Sequence, residues 1–173
     1  MNQFFKITLL ALIFFILSSK VCALEVGNLA PLFSLKNQDG KVISLEQNKN
    51  KIWTVAYFYP KAGTPGCTTQ ACAFRDSIKQ IEKQGAVVYG VSTDSVVSLK
   101  EFQKQHHLNF DLLSDEDGKV STAYGTKLPI LTMSKRVTFI IDDKLMIRSI
   151  DKDVDPAMDA KKVAKQIQEL KLK

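Results

Sequence analysis

The sequence predicts an α/β sandwich in which helices pack on both faces of a mixed β-sheet. Strand-like runs alternate with segments of helical spacing, which favours parallel pairing in the centre of the sheet. The runs 52–59 and 86–91 are apolar and rich in β-branched and aromatic residues, as is typical of strands buried on both faces. A hairpin pattern toward each end of the strand order predicts antiparallel pairs as well.

The first half of the chain predicts a hairpin, a central strand and a long helix. The hairpin covers 32–45, with Gly40 in its turn. The strand 52–59 ends at Pro60, and a loop rich in proline and glycine follows. Gly85 is expected to end the next helix, whose buried face is formed by residues at helical spacing, namely Ala71, Phe74, Ile78 and Ile81.

The second half continues the alternation. After the strand 86–91 it predicts a helix that begins at Ser95. A short strand over 110–113, a helical turn over 120–124 and a second hairpin over 136–150 follow. Asp155 and Pro156 predict the start of a final helix, because aspartate is a favoured N-cap and proline a favoured first residue. The apolar stripe of this helix is Ala160, Val163, Ala164, Ile167 and Leu170.

Residues 1–23 have the pattern of a secretory signal peptide. Lys6 precedes the apolar run 7–17, and Ala23 is a small residue at a suitable cleavage point. An uncleaved anchor is the alternative, but the run is shorter than the ~20 apolar residues that span a bilayer. We therefore expect export to the periplasm, or secretion, and a single domain over 24–173. Cys22 would leave with the leader.

The composition excludes collagen, a disulfide-dense miniprotein and a disordered tail, since 45% of the residues are hydrophobic and 24% are charged. The chain carries 24 Lys and Arg against 18 Asp and Glu, a formal charge of +6. A basic module that binds nucleic acid or membrane is therefore one alternative. Lysines that alternate with the apolar stripe of the last helix favour an ordinary solvated face instead.

The reactive chemistry is concentrated around Cys67. It follows a loop rich in proline and glycine and lies in the first turn of a predicted helix, where unpaired N–H groups and the helix dipole favour a thiolate. Thr64 can place a hydroxyl beside the sulfur. Gly63 and Gly66 allow the backbone to approach a small ligand closely.

Cys72 lies five positions after Cys67. This spacing on an intact helix separates the Cα atoms by ~8–9 Å, whereas a disulfide needs ~7 Å or less. Pairing therefore requires the first turns of the helix to unwind. A permanent disulfide in so short a loop would add little stability, and a zinc site would have to use His106 and His107, which are neighbours in sequence and cannot both face one metal from a helix.

The segment FYPKAGTPGCTTQACAFRD, residues 58–76, resembles the active-site segment of a peroxiredoxin of the Q-type or bacterioferritin comigratory protein branch. The family motif Pro-x-x-x-Thr-x-x-Cys is matched by Pro60, Thr64 and Cys67. Cys72 matches the resolving cysteine of that branch. The segment RVTFIID, which begins at Arg136, resembles the arginine-bearing strand of the family, and the similarity extends over essentially all of 24–173.

The resemblance implies a thioredoxin-like fold and a thiol-dependent peroxidase without metal or organic cofactor. Cys67 would attack hydrogen peroxide or an organic hydroperoxide and become a sulfenic acid. Cys72 would condense with it, and a thioredoxin-like protein dithiol would reduce the disulfide. Thr64 and Arg136 would hold the thiolate and the peroxide, while Pro60 would shield the pocket from water.

Several residues depart from the branch, and one rival function stays open. Ala62 and Gly63 stand where the branch commonly has an acidic pair before the threonine. Gln70 stands where an acid is frequent, and Asp159 stands where the branch often has histidine. The rival is an exported thiol–disulfide exchange protein, against which the five-residue cysteine spacing and the pair Thr64 and Arg136 argue. We further expect a monomer that binds no nucleic acid and does not insert stably into membranes once the leader is removed.

Overall fold

The computed structural model describes residues 24–172, so the predicted signal peptide with Cys22 lies outside the described residues. The strands are β1 (Ser34–Asn37), β2 (Val42–Ser44), β3 (Trp53–Phe58), β4 (Ala86–Ser92), β5 (Asp111–Ser114), β6 (Val137–Ile141) and β7 (Ile147–Asp151). The helices are α1 (Pro65–Lys83), α2 (Val96–His106), α3 (Lys119–Ala123), α4 (Asp159–Lys171) and a 3-10 helix at Leu45–Asn48. Within 24–172, no helix combines the length and apolarity needed to cross a membrane.

The strands form a 7-stranded sheet in the order β2-β1-β5-β4-β3-β6-β7. β4 pairs in parallel with β3 and β5, and the other pairings are antiparallel. The prediction of a mixed sheet is confirmed, with its parallel pairs in the centre and the hairpins β1–β2 and β6–β7 at the two edges. The antiparallel pairing of β3 with β6 brings the start of β6 to the end of β3.

The two faces of β3 belong to two different cores, because successive side chains of a strand point in opposite directions. Val55 and Tyr57 of β3, with Tyr59 just after the strand, join the buried apolar residues of α1, α2 and α4. Ala56 and Phe58 join a second core, which is covered by the segment before β1, the 3-10 helix and the region of α3. Helices therefore cover both faces, as predicted, but the three longest share one of them.

Two local features differ from the prediction. The 3-10 helix was not expected; it buries Leu45 and Asn48. The last helix begins at Asp159 rather than at Asp155, because Asp155 forms a separate turn: its Oδ1 accepts from the Ala157 N–H at 2.9 Å. The Asp155 carbonyl accepts from the N–H groups of Met158 and Asp159. This shift places Asp159 at the buried start of α4.

Gly90 allows the ring of Tyr57 to lie across the neighbouring strand. The two residues are register partners in the parallel pair of β3 and β4. A Cβ atom at position 90 would lie 2.6 Å from Tyr57 Oη and 2.7 Å from its Cζ. The same ring stacks on Phe74 of α1, with the centroids 4.6 Å apart and an interplanar angle of 13°. Gly90 thus supports the packing of α1 on the sheet.

We expect Gly90→Ala to destabilise the fold by ~1–3 kcal/mol, since the added methyl group overpacks a buried ring. Urea denaturation followed by circular dichroism measures this free energy. In a Tyr57→Leu background the obstructing ring is gone, so the further cost of Gly90→Ala should be smaller. An equal cost in both backgrounds would show that the ring is not the obstacle.

Candidate active site

Cys67 lies in the first turn of α1, as the sequence predicts. Its side chain is buried, with 1% exposure. Thr64 is the N-cap, and its side chain makes no capping hydrogen bond among the described residues. The first backbone N–H that makes an α-helical hydrogen bond is that of Thr68, which donates to the Thr64 carbonyl at 2.9 Å. The N–H groups before it are directed toward the Cys67 end of the helix and favour negative charge there.

Arg136 reaches Cys67 from the segment just before β6. It directly precedes β6, whose first residue, Val137, pairs with Phe58 at the end of β3. Arg136 Nη2 donates to Cys67 Sγ at 3.3 Å. A guanidinium at this distance stabilises an anionic sulfur more than a neutral one. The structure therefore brings the predicted nucleophile and the predicted cation together.

Thr64 and Pro60 belong to the loop that leads into α1. The Thr64 hydroxyl donates to the Lys61 carbonyl at 2.9 Å, and among the described residues it makes no hydrogen bond to Cys67. Because its proton is already committed, this hydroxyl retains only lone pairs and can accept a hydrogen bond from a ligand. Pro60 is half-buried where the chain leaves β3.

Cys72 is half-buried in the same helix and is a free thiol, as is Cys67. The helix α1 runs unbroken through both positions. The cysteines are therefore held apart by regular helical geometry, and formation of a disulfide between them stays a prediction that requires the helix to open.

A buried polar chain extends from Arg136 into the protein. Arg136 Nη1 donates to Gln70 Oε1 at 2.5 Å. Gln70 is fully buried, and its Nε2 donates to Asp159 Oδ2 at 2.6 Å. Thr138 Oγ1 donates to the same carboxylate oxygen at 2.8 Å. The order of contacts is thus Cys67, Arg136, Gln70, Asp159 and Thr138.

The Asp159 carboxyl is an unusual group to find at the centre of this chain. Burial raises its pKa, and the hydrogen bonds from Gln70 and Thr138 oppose that rise without cancelling it. Its Oδ1 is buried with no hydrogen-bond partner among the described residues. A buried carboxyl with an unpaired oxygen costs folding free energy. The two hydrogen bonds that Oδ2 accepts, from Gln70 and Thr138, explain why a carboxyl group is present at this position.

Asp94 fastens the loop before the helix. Its Oδ2 accepts from the Ala62 N–H at 2.8 Å and from the Ser92 hydroxyl at 2.8 Å. Ser92 is the last residue of β4, so the loop that carries Thr64 is tied to the end of a central strand. This contact restrains the approach to Cys67.

Sequence reasoning assigned no role to Gln70, Asp94, Thr138 or Asp159. Gln70 alone carries a local signal, since it lies three positions after Cys67 and so on the same side of α1. The other three approach the site only through the fold.

The described range offers no metal site. Between residues 24 and 172, no cluster of three or more His, Cys, Asp or Glu side chains is placed to hold an ion. His106 ends α2, and His107 is its left-handed C-cap, with φ 51°. The site is a buried cysteine sulfur beside a guanidinium, and this arrangement suits reaction with a small electrophile that can accept hydrogen bonds.

Comparisons with known proteins agree with this chemistry. Residues 26–150 match the AhpC/TSA family. The chain is 46% identical to the chloroplastic peroxiredoxin Q of Triticum aestivum over 125 residues, which is 72% of this chain but only 57% of the wheat protein. This chain therefore spans little more than half the length of that plant relative.

Two solved structures are similar in fold. The peroxidoxin BcpB of Mycobacterium tuberculosis has a TM-score of 0.79 and 31% identity, over 84% of this chain and 97% of that chain. The peroxiredoxin Q of Xanthomonas campestris has a TM-score of 0.75 and 29% identity, over 79% of this chain and 90% of that chain. These matches confirm the predicted thioredoxin-like fold.

We expect Gly66→Ala to slow the reaction of Cys67 with hydrogen peroxide without lowering stability. A Cβ atom at position 66 would lie 3.3 Å from Arg136 Nη2, so the guanidinium must move. Gly66 is the second residue of α1, and alanine is a better helix former than glycine, so the free energy of unfolding should stay equal or rise. Stopped-flow peroxide consumption and urea denaturation test both parts. Ser77→Ala, in the middle of α1, is the control. A fully active Gly66→Ala variant would contradict the expected displacement of Arg136 by the added methyl group.

Proposed function

Because this chain belongs to the AhpC/TSA family and to its peroxiredoxin Q and bacterioferritin comigratory protein branch, we propose that it is a thiol-dependent peroxidase that reduces hydrogen peroxide and organic hydroperoxides. The observation that carries the proposal is the contact of Arg136 Nη2 with the buried Cys67 sulfur at 3.3 Å. This contact supplies an activated nucleophile and a hydrogen-bond donor for the peroxide in one place.

In the first step the Cys67 thiolate attacks one peroxide oxygen. An S–O bond forms and the O–O bond breaks, which leaves a sulfenic acid and an alkoxide or hydroxide that takes up a proton. Arg136 donates to the oxygens on which charge develops. The lone pairs of Thr64 accept the peroxide O–H, and Pro60 limits the access of water.

In the second step the Cys72 thiolate attacks the sulfenic sulfur. The S–S bond forms and the hydroxyl group leaves as water after protonation. The first turns of α1 must unwind, because an intact helix keeps the two Cα atoms ~8–9 Å apart. A thioredoxin-like protein dithiol then reduces the disulfide by thiol–disulfide exchange, which regenerates both thiols.

Thiol–disulfide exchange on exported proteins is the alternative function. The burial of Cys67, with 1% exposure, is unfavourable for attack on a disulfide carried by a folded protein. A small hydroperoxide has no such difficulty. The peroxidase is therefore the better explanation of the site.

The two cysteines should respond differently to substitution. We expect Cys67→Ser to abolish peroxide consumption. Cys72→Ser should consume one equivalent of hydrogen peroxide and then stop as a sulfenic or sulfinic acid, because no thiol remains to resolve it. Peroxide consumption and mass spectrometry of the protein measure both outcomes.

The same experiment separates the two functions. The wild-type protein should lose both thiols with consumption of equimolar peroxide and gain one disulfide. Equal loss of the first turnover in Cys67→Ser and Cys72→Ser would contradict the assigned roles. Reaction with oxidised protein substrates but not with peroxide would favour the exchange protein instead.

The proposal includes export and a monomeric state. The basic, apolar and small-residue pattern of residues 1–23 supports a cleaved leader, and the peroxidase would then act in the periplasm or outside the cell. We expect the protein from its native host to begin at Leu24 and to sediment as a monomer. Mass spectrometry of the intact protein and analytical ultracentrifugation measure this; retention of residues 1–23 would argue for an anchor.

A further inference from the structure

The side-chain amide of Gln70 has only one orientation that satisfies both of its neighbours. Its oxygen accepts from Arg136 at 2.5 Å, and its nitrogen donates to Asp159 at 2.6 Å. A guanidinium has only donors and a carboxylate only acceptors. Without the carboxylate the amide could rotate and present its NH₂ group to the guanidinium. The contact with Asp159 therefore keeps the correct end of Gln70 facing Arg136.

Asp159 itself is held by the fold. It is the first residue of α4, its side chain is 2% exposed, and Thr138 of β6 donates to the same oxygen that Gln70 uses. The carboxylate thus connects α4 and β6 with Gln70 on α1. A rigid acceptor in this place can hold a side chain of α1 against movement.

Gln70 also lies between the two cysteines. The helical turn that carries it must lose its regular geometry before the sulfurs of Cys67 and Cys72 can meet. That movement withdraws Gln70 from Asp159 and from Arg136. Because Gln70 is fully buried, breaking these hydrogen bonds adds to the free energy of opening.

We propose that Asp159 is a positioning residue that acts through Gln70: it holds Arg136 against the Cys67 sulfur, and it latches the turn of α1 that must open for Cys72 to reach Cys67. This inference rests on the proposed peroxidase function. It assigns to one buried carboxylate an effect on both chemical steps, although Asp159 touches neither sulfur nor peroxide.

The two steps should respond in opposite directions when the latch is weakened. With Asp159→Asn, formation of the sulfenic acid should slow by about tenfold, because Arg136 is less firmly held. Formation of the disulfide should accelerate by a similar factor, because opening of the helical turn costs less. A general loss of folding stability does not predict a slower first step together with a faster second step, because it would not make this one turn of α1 easier to open.

The donor and acceptor can also be exchanged. In the double variant Gln70→Glu with Asp159→Asn, the carboxylate at position 70 accepts from Arg136 and the amide at position 159 donates to it. The number of carboxylates is unchanged. We expect this exchange to restore both rates to within about threefold of the wild type, given the limits of additivity between contacting residues.

Rapid mixing with hydrogen peroxide, alkylation and mass spectrometry measure both rates, the first of them in a Cys72→Ser background. Hydrogen exchange of the 64–72 amides provides a readout without peroxide and should accelerate in Asp159→Asn. Asp155→Asn is the matched control: this exposed carboxylate lies four residues earlier, and within residues 24–172 its Oδ1 accepts only from the Ala157 N–H. Both of its rates should equal those of the wild type.

The outcomes distinguish the latch from the function. Rates for Asp159→Asn that stay within about twofold of the wild type, or that change in the same direction, would overturn the latch. If Asp159→Asn does not fold, Thr138→Val, which removes the second donor to the carboxylate, should show the same opposite changes, and their absence would overturn the latch as well. A wild-type protein that forms neither sulfenic acid nor disulfide would overturn the proposed function itself.

Discussion

The contact between Arg136 and Cys67 is the interaction on which the site depends. Its two residues are 69 positions apart, and they meet because β6 pairs with β3 just before the chain enters the loop and α1. The contact needs support on both sides. Asp94 fastens the loop to β4, and Gln70 holds the guanidinium from within the helix.

This support costs folding free energy. The Asp159 carboxyl is buried, its pKa is raised by burial, and its Oδ1 has no partner in the described part of the chain. An apolar side chain at position 159 would avoid this cost. It would also leave Gln70 Nε2 without an acceptor. The buried carboxyl therefore lowers the folding stability but fixes the position of the Gln70 amide. Such a cost is common where side chains must be preorganised for a reaction.

The helix α1 is held differently along its length. From Phe74 onward it packs through buried apolar side chains, including Ile78 and Ile81, and Phe74 stacks on Tyr57. The turn between the cysteines places only the small side chains of Cys67 and Ala71 in the same core, and Gln70 adds its polar contacts there. Apolar packing is lost only when a segment leaves the core, whereas a few hydrogen bonds can break and form again within one turn. The proposed opening would therefore involve only the part of α1 that precedes Phe74.

The sequence by itself determined the alternation of strands and helices, the mixed sheet, and the place of Cys67 at a helix start, because these follow from local periodicity, turn residues and spacing. It also identified the spacing that forbids a Cys67–Cys72 disulfide in an intact helix. The buried start of α4 and the contacts of Gln70 with Arg136 and Asp159 were decided by the tertiary structure. Gln70 meets Arg136 across 66 positions and Asp159 across 89. No local pattern encodes such pairs, since only strand register and helix packing bring them within hydrogen-bond distance.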